Sequence, residues 1–141
     1  MKIKKSLDYA DARRFIDFLI VEAAKVSDKA VVAVADPAGE LIAFARMDDA
    51  PLPSIQIVLN KAYTAARLKA PTRELHEKSR DAEKGFDIAY YGDSRFVGWG
   101  GGYPILVDGE CVGSIAVSGL PQVEDMRLVT MAAELYAEGK L

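Results

Sequence analysis

Ile105-Leu106-Val107-Asp108-Gly109-Glu110-Cys111-Val112-Gly113-Ser114-Ile115-Ala116-Val117 is the stretch that decides the fold class. Two apolar runs flank Asp-Gly, the strongest short-range hairpin signal, because both turn residues must tolerate positive φ. Working backwards, Ala30–Ala35 and Leu41–Ala45 flank Asp36-Pro37-Ala38-Gly39 and read as a second antiparallel hairpin. Arg95 to Trp99 reads as a further short strand. Around these lie amphipathic segments. Phe15, Leu19, Ala23 and Val26 recur at helical spacing, which predicts a helix from about Leu7 to Val26 with Ser6 as its N-cap.

A second helix is predicted from near Ser54. Ile55, Val58 or Leu59, Ala62 and Ala65 or Ala66 form its buried face, and Asn60, Tyr63, Thr64 and Arg67 a polar face opposite. Pro71-Thr72 opens a shorter helix through Ser79, and a last one is predicted over Gln122–Ala137, with Met126, Val129, Ala133 and Tyr136 on one stripe. Residues 80–94 lack periodicity and read as a mobile or ligand-facing segment anchored by Ile88, Tyr90 and Tyr91. Hairpins dominate, so the chain reads as one α+β domain, residues 1–141, with a mostly antiparallel sheet and helices packed on it.

Composition narrows the function. The chain has 141 residues, half of them hydrophobic, and a formal charge of −3. Without a basic surplus to displace phosphate counterions, general nucleic-acid binding is excluded. No apolar run approaches the roughly 20 residues of a membrane span. The basic start, Met1-Lys2-Ile3-Lys4-Lys5, is followed by an apolar stretch that arrives late and is broken by Asp17, so the expected location is the cytoplasm. One cysteine, Cys111, and one histidine, His76, leave no internal disulfide and no multi-cysteine or His-rich metal centre. His76 is the one weak candidate for a metal ligand.

Gly98-Trp99-Gly100-Gly101-Gly102-Tyr103-Pro104 resembles a phosphate loop only superficially. Tyr103 stands where the third glycine of a dinucleotide fingerprint belongs, and a strand follows instead of a helix. Two readings remain: a close approach of backbones, or a binding loop whose amides meet a flat or anionic ligand. Ser118-Gly119 lacks the Gly-x-Ser-x-Gly pattern of a nucleophile elbow. Glu124 and Asp125, in the first turn of the last helix, are explained by the macrodipole alone.

Taken in order, these segments resemble the GlcG/HbpS family. The front half is carried by Val32-Ala33-Val34-Ala35-Asp36, Gly39, Leu41, Ala45-Arg46-Met47-Asp48, Ser54-Ile55 and Lys61-Ala62-Tyr63-Thr64-Ala65. The back half is carried by Gly100-Gly101-Gly102-Tyr103-Pro104, Gly109, Val112 to Gly119, and Asp125. The resemblance implies a profilin-like α/β/α domain on a five-stranded antiparallel sheet, a homo-oligomer, and a small-molecule ligand, haem or a corrinoid. Departures fall at Asp49, Ala116, Leu120 and Met126, and over residues 82–96.

A tetrapyrrole site needs apolar walls and a few polar anchors. Met47, Tyr63, Tyr91, Trp99 and Tyr103 are candidate walls, and Arg46, Lys61 and Arg67 candidate partners for propionates. Thr64 and the Gly100–Gly102 amides complete the candidate binding set. A second expectation is a small catabolic enzyme for an organic acid, with Gly100–Gly102 as an oxyanion or carboxylate site and Lys61, Tyr63 or Asp125 as acid–base groups. The third is an accessory or assembly subunit, with Asn60, Tyr63, Thr64 and Arg67 as a contact between copies.

Overall fold

The computed structural model describes residues 1–141. Four helices and four strands follow one another as α1 (Tyr9–Ala24), β1 (Val31–Ala35), β2 (Leu41–Arg46), α2 (Pro53–Leu68), α3 (Thr72–Ser79), β3 (Gly102–Val107), β4 (Glu110–Ser118) and α4 (Gln122–Ala137). A single 3₁₀ turn, Ile88–Tyr91, interrupts the long connection after α3. The strands form one sheet in the order β2-β1-β4-β3, with every neighbouring pair antiparallel. Both hairpins form where the turn residues put them. Asp108 and Gly109 take φ of 52° and 76°, the pair of positive values that an Asp-Gly hairpin turn requires.

The inner strands β1 and β4 are buried on both faces. Val31, Ala33, Ala35 and Ala116 pack against Val58 and Ala62 of α2. Val32, Val34, Ile115 and Val117 turn the other way, onto Phe15 and Leu19 of α1 and Leu128 and Val129 of α4. The period of two along the strands thus makes three layers, with α1 and α4 on one side and α2 on the other. Ser114 Oγ donates to Ala62 O at 2.6 Å and fixes α2 against β4.

Several sequence expectations are corrected. The sheet has four strands, not five, because Arg95–Trp99 is not one of them. That segment makes its hydrogen bonds to a helix: Thr64 Oγ1 donates to Arg95 O (3.2 Å) and accepts from Val97 N (3.0 Å). Pairing with β4 begins only at Gly101, whose carbonyl accepts from Val117 N. The same crossover covers the expected polar face of α2, so Tyr63 and Thr64 are buried. Asp8 caps α1 in a capping box with Asp11, in place of Ser6. The buried stripe of α4 is Asp125, Leu128, Val129 and Ala132, displaced from the expected one. In the connection, Tyr91 stacks on Phe96 at 4.5 Å, but Tyr90 is 81 % exposed and anchors nothing.

Thr64→Val keeps the shape and removes the hydroxyl that holds the crossover. The expected cost is about 1–3 kcal/mol, as for a buried amide left without its partner. Hydrogen exchange at Val97 N should accelerate by more than that at β4 amides, and equal protection in both proteins would contradict this role.

Candidate functional site

The middle of α2, the end of β4 and the first turn of α4 meet at a buried ion pair. Lys61 Nζ lies 3.1 Å from Asp125 Oδ2 and donates to Val117 O at 3.0 Å, and both side chains are about 3 % exposed. Asp125 Oδ1 accepts from Leu120 N at 3.3 Å. Burial lowers the affinity of Lys61 for its proton and pushes the Asp125 carboxyl up to about 6. Desolvation therefore outweighs the mutual attraction at both partners.

Two of the three glycines, Gly101 and Gly102, are shaped around this pair. A Cβ on Gly101 (φ +118°) would meet Val117 O at 2.6 Å and Lys61 Nζ at 2.9 Å. A Cβ on Gly102 would meet Lys61 O at 2.5 Å. Gly100 N donates to Gln122 Oε1, and Gly102 N to Thr72 Oγ1. Of the two readings left by the sequence, close approach accounts for the loop, and two of its three amides are engaged within the chain.

The pair forms the floor of a cleft of about 420 Å³, which is also lined by Ser54, Trp99, Ser118 and Gln122. Ser54 and Ser118 are 7 % and 4 % exposed, and neither hydroxyl hydrogen-bonds within the chain. Trp99 stands at the mouth, 57 % exposed.

A second polar cluster lies further along α2. Tyr63 Oη donates to Asp93 Oδ2 at 2.6 Å, and its ring lies between the guanidinium groups of Arg67 (4.5 Å) and Arg95 (4.0 Å). Arg95 grips Asp93 through both Nε and Nη2, which holds that carboxyl well below the usual carboxylate range. Burial and the Asp93 contact raise the Tyr63 phenol. Arg67 Nε is engaged by Ala38 O.

His76 is half-buried on α3 and makes no side-chain hydrogen bond within the chain. It lines another cleft of about 420 Å³ with Ser79, Arg80, Phe86, Asp87 and Ile88, four of the six lining residues being polar or charged. No group of three or more His, Cys, Asp or Glu side chains is gathered to hold a metal ion.

The residues singled out from sequence therefore separate. Lys61, Asp125 and Trp99 share one cleft, backed by Gly100–Gly102. Tyr63 and Arg67 belong to the second cluster, and Thr64 is used by the crossover. Met47 and Tyr103 pack on the α1/α4 side of the sheet, and Arg46 is exposed at the end of the edge strand β2. Sequence reasoning missed Ser54, Ser118 and Gln122 as cleft residues, and Asp93 and Arg95 as partners of Tyr63. The Asp93-Ser94-Arg95 spacing was a usable signal for the last two.

Fold and clefts together define a small α+β domain, one antiparallel sheet between helices with clefts beside α2 and α3. The family model described as haem-degrading protein HbpS-like matches residues 7–134, and the chain belongs to that family. Protein GlcG of Escherichia coli (strain K12) is 33% identical over 118 residues, covering 84% of this chain and 85% of GlcG. Klebsiella pneumoniae protein ORFY has a similar crystal structure, with TM-score 0.90, 25% identity and coverage of 97% of this chain and 94% of that one. The crystal structure of a PduOC:heme complex is similar at TM-score 0.84 and 26% identity, covering 92% of this chain and 94% of that one.

Asp125→Ala leaves the Lys61 ammonium buried without its partner and should cost about 3–5 kcal/mol. The double variant Lys61→Met/Asp125→Leu removes both charges and should recover most of that loss. Urea denaturation of the native protein and the two variants measures this. A double variant no more stable than Asp125→Ala would show that the pair acts through packing and not through charge.

Proposed function

We propose that this chain is a cytoplasmic, homo-oligomeric binding protein for haem or a related tetrapyrrole. Membership of the HbpS-like family supports a haem-related ligand, and so does the likeness to the PduOC:heme complex. No helix is long and apolar enough to cross a membrane.

The observation that carries the reading on this chain's own residues is the environment of His76. Its imidazole has no partner within the chain, and imidazole is among the usual axial ligands of haem iron. Phe86 and Ile88 supply apolar walls beside it, and Arg80 a cation for a propionate. Behind Phe86 the aromatic contacts run edge-on to Tyr91 (5.9 Å) and by stacking to Phe96 (4.5 Å), which holds that wall in place. When bound, the haem would supply the iron, while the chain supplies the axial nitrogen and the walls. The cleft at Lys61 offers no imidazole, thiolate, thioether or phenol to iron.

Self-association is supported by apolar groups at the free edge of the sheet. Leu41 and Phe44 of β2 are 53 % and 38 % exposed, and Leu52 at the start of α2 is 71 % exposed.

Hemin titration tests the ligand. One equivalent should give a shifted Soret band, and His76→Ala should weaken binding by more than the roughly 10–100-fold that loss of an outer-shell partner costs a metal site. No shifted band in the native protein would overturn the haem reading, and an unchanged band in His76→Ala would remove His76 as the ligand. Light scattering during gel filtration should give a multiple of 15.3 kDa, and a monomer mass would refute self-association.

A further inference from the structure

The haem reading leaves the cleft at Lys61 unused, and this cleft has the parts of a covalent site. An amine, a carboxyl group 3.1 Å away, and two hydroxyl groups without partners face one opening. A purely structural ion pair accounts for the first two. It does not account for Ser54 and Ser118, which are both more than nine-tenths buried and line the cleft without hydrogen bonds. Every fully buried side-chain oxygen or nitrogen in the chain has a partner, so these two hydroxyl oxygens are not sealed in the core but open onto the cleft. Here they are left to whatever enters.

We propose that Lys61 forms a Schiff base with a small aldehyde or ketone that enters between Trp99, Ser54 and Ser118. The contact between Lys61 and Asp125 lets the proton move from the ammonium to the carboxylate without exchange with bulk water. The resulting neutral pair avoids keeping two charges in a dry site. The free amine attacks the carbonyl carbon, and the protonated Asp125 passes its proton to the carbonyl oxygen. The carbinolamine nitrogen then gives up a proton, which Asp125 carries to the same oxygen, and the C–O bond breaks as that oxygen leaves as water and the nitrogen lone pair forms the C=N bond. In sum, Lys61 ammonium, Asp125 carboxylate and the carbonyl compound give a protonated imine on Lys61, the same carboxylate and one water. No oxidant or metal enters the balance. The lowered proton affinity of Lys61 favours the attacking form, as for other desolvated nucleophilic lysines. Asp125 stabilises the imine cation once it forms. The cleft volume of about 420 Å³ and the exposed indole of Trp99 in its lining suit a short chain with one apolar end.

The experiment uses acetaldehyde as the probe, at near-stoichiometric concentration and neutral pH, with cyanoborohydride to trap any imine as a secondary amine. Peptide mass spectrometry then reads the label on each lysine. Lys61 should be labelled at least ~10-fold faster than any exposed lysine such as Lys25 or Lys140, and this preference should vanish in urea-unfolded protein. Labelling spread over the exposed lysines with Lys61 unmodified overturns the proposal, and requires no variant that might misfold. Ser118→Ala retains the ion pair and should slow labelling at Lys61 alone. Asp125→Asn, checked for folding by circular dichroism, should slow it further. Native-like labelling in a folded Asp125→Asn protein overturns the proton transfer. The outcome is independent of hemin binding, which is measured at another cleft.

Discussion

One buried ion pair, Lys61 with Asp125, joins three parts of the chain and sets the shape of the region where they meet. Lys61 also holds Val117 O, so a single ammonium group ties the middle of α2 to the end of β4 and the start of α4. The packing around it requires Gly101 and Gly102, where any side chain would strike Val117 O or the Lys61 backbone. Two charges are expensive to bury, and attraction alone does not offset that cost. The Schiff-base chemistry proposed for Lys61 gives this pair a role that stability alone does not.

The pair also links stability to pH in a defined direction. The folded Asp125 carboxyl keeps its proton up to a pH of about 6, whereas an unfolded one loses it near 3.8. Between those values the folded state holds more protons than the unfolded state, so the stability contributed by this group falls as pH rises through the window. Carboxylates held by cations and hydrogen bonds near the surface act the other way, because those partners lower them. Asp93, gripped by Arg95, is the local example of that ordinary behaviour.

Much of the fold is legible in the sequence because its signals are local. The Asp108-Gly109 turn specifies its own backbone angles, and the helix after Pro121 starts and ends where the periodicity puts it. What local signals miss is the return of a distant segment. Arg95 to Trp99 has the composition of a strand, but Thr64, 31 residues before Arg95, takes its hydrogen bonds. For the same reason the polar stripe of α2 is not a solvent face. Periodicity describes a helix's first neighbour, the sheet, and cannot register a loop that packs on the other side.

The candidate site shows the same limit. Lys61 and Asp125 are separately recognisable as reactive types, yet they lie 64 positions apart, and their contact depends on the sheet order. Asp125 in a first helical turn is sufficiently explained by the macrodipole until its burial is known. Met47 and Tyr103 are plausible ligand walls by type, but Tyr103 pairs with Ile115 on the α1/α4 face and Met47, just past β2, packs on the same side. The most direct test of the central claim is a carbon-13 NMR titration of the Asp125 carboxyl in the folded protein. The account predicts a midpoint at about 6, above the ordinary value because burial outweighs the neighbouring ammonium. A midpoint at or below the ordinary 3.8 would show a solvated ion pair and contradict the account.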